Sequence, residues 1–223
     1  MNRYEPEKSN MFNTTLAESH LDSKVIQMWS RHQYDSAPFY TTGFETILFN
    51  RENSFVLETV LASSVNYDNE VLIVSYGKSM TKLKSMVAAQ NLIFHCFDWS
   101  SDVWDDFENK ISKTPNISHI LIGIDSETAV KDIPVEKLLN LASKRRYSLI
   151  AYCDTIVDGL NDIFNGAIDF MIGILNNLRS FVVARRSRLV QTEGNSRCFN
   201  RDLYSYWQWT MRDRKPLIKP MRV

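Results

Sequence analysis

Glycine is scarce in this sequence, and the motifs that commonly bring backbone to a ligand are missing. Only 7 of the 223 residues are glycine, against a usual share of about 7%, so few loops can approach a phosphate closely. The patterns GxGxxG, GxxxxGK[ST], HExxH and GxSxG do not occur. These absences weigh against dinucleotide-binding, nucleotide-binding, zinc-protease and α/β-hydrolase functions.

Cysteine and histidine are too few and too scattered for a disulfide framework or a metal site. The three cysteines form no CxxC pair, and the four histidines form no pair at i, i+4. No run reaches the roughly 18 apolar residues of a membrane span, and residues 1–10 have no signal-peptide core. We therefore expect a soluble, cytoplasmic protein with reduced thiols and no metal, in which His95 and His119 are ordinary buried or half-buried side chains.

Neither sign of charge predominates. The chain has 26 basic and 26 acidic residues, with 44% hydrophobic and 23% charged side chains, as in ordinary globular domains. This balance indicates neither nucleic acid nor a membrane as a partner. The small basic cluster of Arg185, Arg186 and Arg188 is better explained as a solvated edge than as an anion site.

From residue 45 onwards, short apolar runs alternate with amphipathic segments. We predict strands over 45–49, 71–74, 92–97, 119–124 and 149–153, and helices over 54–64, 79–90, 101–113 and 135–146. Two more buried strands flank the polar break Asn176–Asn177. This alternation predicts an α/β fold, a three-layer αβα domain with a mainly parallel sheet.

The domain limits follow from composition. Residues 1–20 are polar and poor in aliphatic side chains, which predicts a mobile N-terminal arm. No linker or repeat interrupts residues 21–199, so we expect one domain there. Residues 200–223 are rich in aromatic and basic side chains, and we expect this tail to pack on the domain or on a partner.

Several short segments, taken in order between about residues 39 and 216, resemble one known family. The resembling segments are VLIVSYG (71–77) for the family's LLVLSNG, IDFMI (168–172) for IDFLI, FVVARR (181–186) for FVIARR, and DLY (202–204) with Trp207 for DLYxQW. The chain is thus similar to the class V, fold-type I, pyridoxal-phosphate (PLP) dependent aminotransferases, and most similar to the 2-aminoethylphosphonate transaminases. The resemblance implies the large domain of that fold, without the C-terminal small domain.

The resemblance also implies where the cofactor residues should lie, and this sequence departs from the family at those positions. Asn177 stands where the family has its Schiff-base lysine, and an amide nitrogen is not a usable nucleophile. Tyr152 stands where the family has the aspartate that pairs with the pyridine nitrogen, although Asp154 would restore a carboxylate if the alignment slipped by two residues. The nearest lysines along the chain, Lys144 and Lys215, match no family motif.

The remaining family contacts are altered as well. Residues 51–54, Arg51 to Ser54, replace the phosphate-binding GSGT, so that both glycines are lost and a glutamate is gained. Ser79 replaces the aromatic residue that stacks on the cofactor ring, and Ser126 lies in the segment that replaces the family's CET. The glycine-rich closing loop after Asn177 is expected to be shortened.

These departures predict a catalytically inactive pseudo-transaminase with no cofactor, although the family uses PLP. We expect it to act by protein association, as a homodimer or as a heterodimer with a full-length relative. Three alternatives stay open: a PLP enzyme that uses another lysine, a product under no functional selection, and a small-anion-binding module. The last would use a remnant cleft whose candidate residues are Arg51, Ser54, Ser79, Ser126, Tyr152 and Asp154.

Overall fold

The computed structural model describes residues 43–75, 77–98, 104–125, 134–154, 167–176, 179–198 and 202–213. The predicted N-terminal arm, Ser126 and Asn177 lie outside these ranges. The strands are β1 (Phe44–Phe49), β2 (Glu70–Ser75), β3 (Ile93–Asp98), β4 (Ile117–Ile124), β5 (Ser148–Cys153), β6 (Phe170–Asn176) and β7 (Arg179–Arg185). The helices are α1 (Asn53–Ser64), α2 (Gly77–Ala89), α3 (Trp104–Ser112), α4 (Val135–Arg145), α5 (Arg186–Gln191) and α6 (Leu203–Asp213).

The seven strands form one sheet in the order β1-β7-β6-β5-β4-β2-β3. Strands β2 to β6 pair in parallel, whereas β7 pairs antiparallel with both β1 and β6. All six residues of strand β5 are buried, so both faces of this strand are covered. Such complete burial is typical of a strand inside a parallel sheet. The predicted fold class, an α/β domain with a mainly parallel sheet, is confirmed.

The connections between strands distribute the helices over the two faces of the sheet. Right-handed crossovers place α1 and α2 on one face, since the chain moves in one direction across the sheet from β1 to β2 to β3. The chain then moves the opposite way from β3 through β4 to β5, which places α3 and α4 on the other face. On that second face, Phe107 of α3 packs on Phe97 of β3 with ring centroids 4.0 Å apart.

Most helix boundaries fall within two residues of the predicted ones. Helix α1 begins at Asn53, one residue before the predicted start. Helix α4 ends at Arg145, and Arg146 takes a left-handed conformation with φ of 60°. The Arg146 amide donates to the carbonyls of the last turn, so this residue ends the helix where glycine is more usual.

Helix α6, which lies within the predicted C-terminal tail, packs against helix α1 and strand β1. Leu203 is fully buried, and its backbone amide donates to Ser63 Oγ of α1 at 3.0 Å. The Tyr206 ring lies 4.9 Å from the Phe49 ring of β1. These contacts pack the start of α6 on the domain itself, whereas Trp209, further along the helix, is 56% exposed.

The basic cluster near the end of β7 requires a correction. Arg185 and Arg188 both reach Asp169 Oδ1, with Nε to oxygen distances of 3.0 and 3.3 Å, and Arg186 pairs with Glu45 of β1. Both carboxylates are buried, so each needs a cation beside it. The three arginines therefore compensate buried acids and do not form a merely solvated edge.

Candidate functional site

The carboxyl ends of the parallel strands β2, β4 and β5 are where ligand sites of open α/β sheets usually lie. The first turns of helices α1 and α2 meet the sheet at the same edge. We call the polar side chains gathered there the carboxyl-edge cluster. Its members are Asn53, Ser75, Ser79, Lys82, Tyr152 and Asp154.

Tyr152 lies at the centre of this cluster, near the end of β5. Its ring is fully buried, between Gly123 of β4 and Ile172 of β6 in the strand register. Burial raises the pKa of the phenol, and the nearby Lys82 and Asn53 offset that rise only in part. Although both neighbours are close enough to act on the pKa, neither makes a hydrogen bond with the Tyr152 hydroxyl, which has no partner among the described residues. The phenol is therefore neutral near pH 7.

Lys82 and Asp154 form an ion pair beside the Tyr152 ring. The Lys82 ammonium lies 2.8 Å from both carboxylate oxygens of Asp154 and 5.5 Å from the centroid of the Tyr152 ring. Burial acts to lower the pKa of Lys82, but Asp154 and the Tyr152 hydroxyl act together to raise it, and the net change is upward. Lys82 is therefore a charged amine with its charge compensated by Asp154.

Asn53 begins helix α1 and ties that helix to the sheet. Its Nδ2 donates to the Cys153 carbonyl at the end of β5, with a distance of 2.8 Å. Its Oδ1 is buried without a hydrogen-bond partner among the described residues. The preceding Glu52 makes no side-chain cap on the helix, and Arg51 is exposed, with its guanidinium 5.7 Å from the centroid of the Phe55 ring.

Ser75 and Ser79 meet over Gly123. A methyl group placed on Gly123 would lie 2.5 Å from Ser75 Oγ, 2.9 Å from Ser79 Oγ and 2.5 Å from Leu83 Cδ1. Strand β4 thus needs glycine at this position so that helix α2 can pack closely. Both serine hydroxyls are buried, and neither has a hydrogen-bond partner among the described residues.

The structure brings together some of the candidate residues and leaves others apart. Ser79, Tyr152 and Asp154 all belong to the carboxyl-edge cluster. Ser54 is half-buried in the first turn of α1, and Arg51 is exposed before that helix begins. Nothing is described for Ser126 or for Asn177.

Lys82 was not predicted from the sequence, because the family's Schiff-base lysine aligns with position 177 and not with helix α2. The available signal was its spacing from Ser79. A residue three positions further on lies on the same face of a helix, so a long side chain at position 82 reaches the same strand ends. Ser75 was missed as well, although it is the last residue of a buried strand.

The described residues contain no group of three His, Cys, Asp or Glu side chains that could hold a metal ion. None of the helices in these ranges is both long and apolar enough to cross a membrane.

Comparison with known proteins shows similarity to one group of enzymes. The chain matches no known protein-family profile. It is 26% identical over 189 residues to the 2-aminoethylphosphonate–pyruvate transaminase of Salmonella paratyphi C, a match that covers 80% of this chain and 51% of the relative. The corresponding protein of Salmonella typhimurium has the same identity and coverage. The chain therefore spans about half the length of the curated relatives it matches.

Solved structures with a similar fold include two aminotransferases. A phosphoserine aminotransferase from Cytophaga hutchinsonii superposes with a TM-score of 0.58 at 8% identity, over 78% of this chain and 50% of that one. The ureidoglycine–glyoxylate aminotransferase of Bacillus subtilis gives 0.55 at 16% identity, over 78% and 47%. The predicted resemblance is confirmed: this chain is similar in sequence to 2-aminoethylphosphonate–pyruvate transaminases and has the α/β fold of the large domain of PLP-dependent aminotransferases.

Proposed function

We propose that this transaminase-like chain does not carry out PLP-dependent transamination and acts by association with another protein chain. The observation that carries the first part is the ion pair between Lys82 and Asp154 beside the buried Tyr152. The second part rests on the exposed aromatic surface of helix α6.

The residues of the carboxyl-edge cluster do not fit the ring of PLP. In the family that this chain resembles, a carboxylate faces the pyridine nitrogen and keeps it protonated. Tyr152 holds that aligned position with a neutral phenol, because burial raises its pKa. The neighbouring carboxylate of Asp154 is already paired with Lys82. Because that carboxylate is engaged by the lysine, it is not free to accept a hydrogen bond from a protonated pyridine nitrogen, and a protonated pyridine is disfavoured.

The start of helix α1 does not fit the phosphate of PLP either. Asn53 stands where the aligned family motif has its second glycine, and its amide is hydrogen-bonded to the Cys153 carbonyl. Glu52 adds an acidic side chain at the same helix start, where an anion would otherwise be favoured. A phosphate dianion would therefore meet a side chain and a like charge in place of open backbone amides.

The test of this part is a titration with PLP followed by borohydride reduction and peptide mapping. With PLP at an equimolar concentration, we expect no saturable absorbance band near the visible edge and no stoichiometric reduced adduct on a single lysine. Lys82→Met should behave like the wild-type chain, since Lys82 is not expected to form an imine. A stoichiometric reduced adduct on Lys82, or on another lysine of the same cleft, would overturn the proposal and restore the alternative of a PLP enzyme.

The alternative of a small-anion-binding module receives less support from the cluster. The charge of Lys82 is compensated by Asp154, and the guanidinium of Arg51 lies over the Phe55 ring. The paired amine therefore adds no net positive charge to the buried hydroxyls.

Association is supported by the exposed apolar surface that α6 presents. Trp209 is 56% exposed and borders a groove of about 610 Å³. The residues that line the groove are Gly194, Ser196, Cys198, Asp202, Ser205, Tyr206 and Trp209. An exposed tryptophan beside a half-buried tyrosine and polar side chains is typical of protein interfaces. We expect the partner to be a second copy of this chain or a full-length relative.

Light scattering during gel filtration tests the association. We expect a mass above that of one chain, or capture of a purified full-length relative when the two are mixed. Trp209→Ser should weaken either complex, whereas Ile93→Ser, which changes an exposed residue on the edge strand β3, should not. A monomer at every concentration that also fails to bind the relative would contradict the proposal.

A further inference from the structure

Basic side chains are concentrated at the amino edge of the sheet, where β5 and β6 begin and β7 ends. We call them the amino-edge basic surface. Its members are Lys144, Arg145, Arg146, Arg185, Arg186 and Arg188. The three members at the end of α4 are exposed, and the three at the end of β7 and in α5 have side chains 35% to 60% exposed. All six charges are therefore accessible from solvent.

Asp169, the residue before β6, brings the two halves of this surface together. Its Oδ1 accepts from Arg185 Nε at 3.0 Å and lies 3.3 Å from Arg188 Nε. Its Oδ2 accepts from Ser148 Oγ at 2.9 Å, and Ser148 begins β5 two residues after Arg146. The basic residues at the end of α4 and those beyond β7 therefore lie at the same part of the amino edge.

The basic side chains of this surface outnumber the carboxylates that they contact. Arg185 and Arg188 share the single carboxylate of Asp169, and Arg186 pairs with Glu45. Within the described ranges, no carboxylate is paired with the basic residues 144–146. Six positive charges against two negative ones leave an excess of four.

Arg146 is not the residue that its backbone conformation favours. Its φ of 60° lies in the left-handed region, where glycine is favoured and asparagine is tolerated. The other described residues with positive φ are Gly43, Asn91 and Gly194, which follow this rule. The dipole of α4 explains cations in its last turn, such as Lys144, but not an arginine in a strained conformation after it. Because such strain is concentrated at functional sites, the Arg146 side chain indicates a role outside the fold.

The extent of this surface suits a short anionic segment. A guanidinium group donates two parallel hydrogen bonds to a carboxylate or a phosphate. Domains that bind nucleic acid usually have an isoelectric point above about 9, whereas this chain has one near 6.9 and a net charge of zero. Exposed acidic residues, among them Asp105 and Asp106, also occupy the start of α3. A local basic surface on a neutral chain therefore fits an acidic protein segment better than a long polyanion.

We propose that the amino-edge basic surface binds a short acidic segment of a partner protein, whose carboxylates pair with Arg146 and its basic neighbours. None of the six residues lines the groove beside α6. The inference thus adds a second surface to the association proposed above, and the two are tested separately.

Fluorescence anisotropy with a labelled peptide of about ten glutamates tests this inference on the full chain. We expect saturable binding at about 50 mM salt that weakens as salt is added, because exposed charges are screened. Arg146→Gly should weaken the binding by about threefold, the effect of one exposed ion pair. Its stability in urea should stay unchanged or rise, because glycine suits a φ of 60°. Lys84→Gln, which removes one exposed positive charge from α2, should leave the binding unchanged.

The inference fails if the glutamate peptide does not bind at the low salt concentration, or if Arg146→Gly and Lys84→Gln weaken its binding equally. It also fails if a single-stranded DNA of about ten nucleotides binds more tightly than the peptide and depends on Arg146, since the surface would then be a nucleic-acid site. Trp209→Ser should bind the peptide as well as the wild type does, and a loss would assign the peptide to the groove beside α6. A chain that is monomeric in gel filtration and still binds the peptide through Arg146 would overturn the association through α6 and support this inference.

Discussion

His119 gives the sharpest quantitative test of the fold, at the sheet edge opposite the carboxyl-edge cluster. Its side chain is almost fully buried near the start of β4, with Ser118 Oγ 2.6 Å from its Nδ1. Burial and, to a smaller extent, the positive charge of Arg188 lower its pKa to about 4 from the ordinary 6.5, and Asp169 offsets this only in part. His119 is therefore neutral in the folded protein throughout the neutral and mildly acidic range.

The sign of the pH dependence follows from these two pKa values. Above pH 6.5 the imidazole is neutral in both states and contributes nothing to the pH dependence. Between pH 6.5 and about 4 the unfolded chain gains a proton that the folded chain does not, so the folded state loses stability as pH falls. A difference of about 2.5 pKa units corresponds to about 3 kcal/mol by pH 4, of which about 2 kcal/mol is lost by pH 5.

Urea unfolding of the wild type and of His119→Gln at about pH 7.5, 6 and 5 measures this effect. Glutamine cannot gain the proton, and the cost of the substitution itself should not depend on pH. Taking the difference between the two proteins removes the contribution of the carboxylates that also titrate in this range. We expect the stability advantage of the wild type over the variant to fall by about 2 kcal/mol between the two end points.

A difference that stays constant with pH would refute the reasoning. It would mean that His119 gains its proton as readily in the folded protein as in the unfolded chain, and that the surroundings of β4 do not exclude the imidazolium. The test requires that the unfolding free energy fall with urea concentration at the same slope in both proteins. Different slopes would mean that the two unfolding transitions cannot be compared.

Three further substitutions are tested by urea unfolding at neutral pH. Ser79→Ala should leave stability unchanged or raise it by up to about 1 kcal/mol, because it removes a buried hydroxyl without a partner, and a clear loss would contradict this. Gly123→Ala should destabilise the chain by about 1–3 kcal/mol, because its methyl group would lie 2.5 Å from Leu83 Cδ1. If the variant is as stable as the wild type, helix α2 can shift away from β4 at little cost, and this prediction is wrong. Lys82→Met should change stability by less than about 1 kcal/mol, since the pair with Asp154 is partly exposed, and a larger loss would mean that the pair holds the domain together.

The strands of this fold were largely predictable from sequence. Runs such as 71–74 and 149–153 are continuously apolar because both faces of a parallel strand are buried. The direction of β7 was not predictable in the same way, because a buried strand has the same composition whether its neighbours run parallel or antiparallel to it. Only its pairing with β1 and β6 decides that direction.

Only some residues of the candidate site were predictable from the sequence, namely those that align with family positions at a strand end or a helix start. Ser79 and Tyr152 were found because the resemblance to a family aligned them with known positions. Lys82 was not found, because its role depends on the reach of a long side chain from a helix to Asp154, 72 positions away. The pairing of Arg185 with Asp169 was missed for the same reason, since contacts between distant positions leave no local pattern.

The two edges of the sheet differ in how their buried polar groups are hydrogen-bonded. At the amino edge, Asp169 is fully engaged, accepting from Ser148 Oγ, the Leu149 amide and the arginine side chains. At the carboxyl edge, four buried atoms have no partner in the described ranges. Selection for stability alone would favour satisfied or apolar groups at both edges, because an unpartnered buried polar atom lowers stability. The carboxyl edge therefore contributes less to stability than the amino edge, and the Ser79→Ala variant measures part of that difference, since it removes one of the four unpartnered atoms.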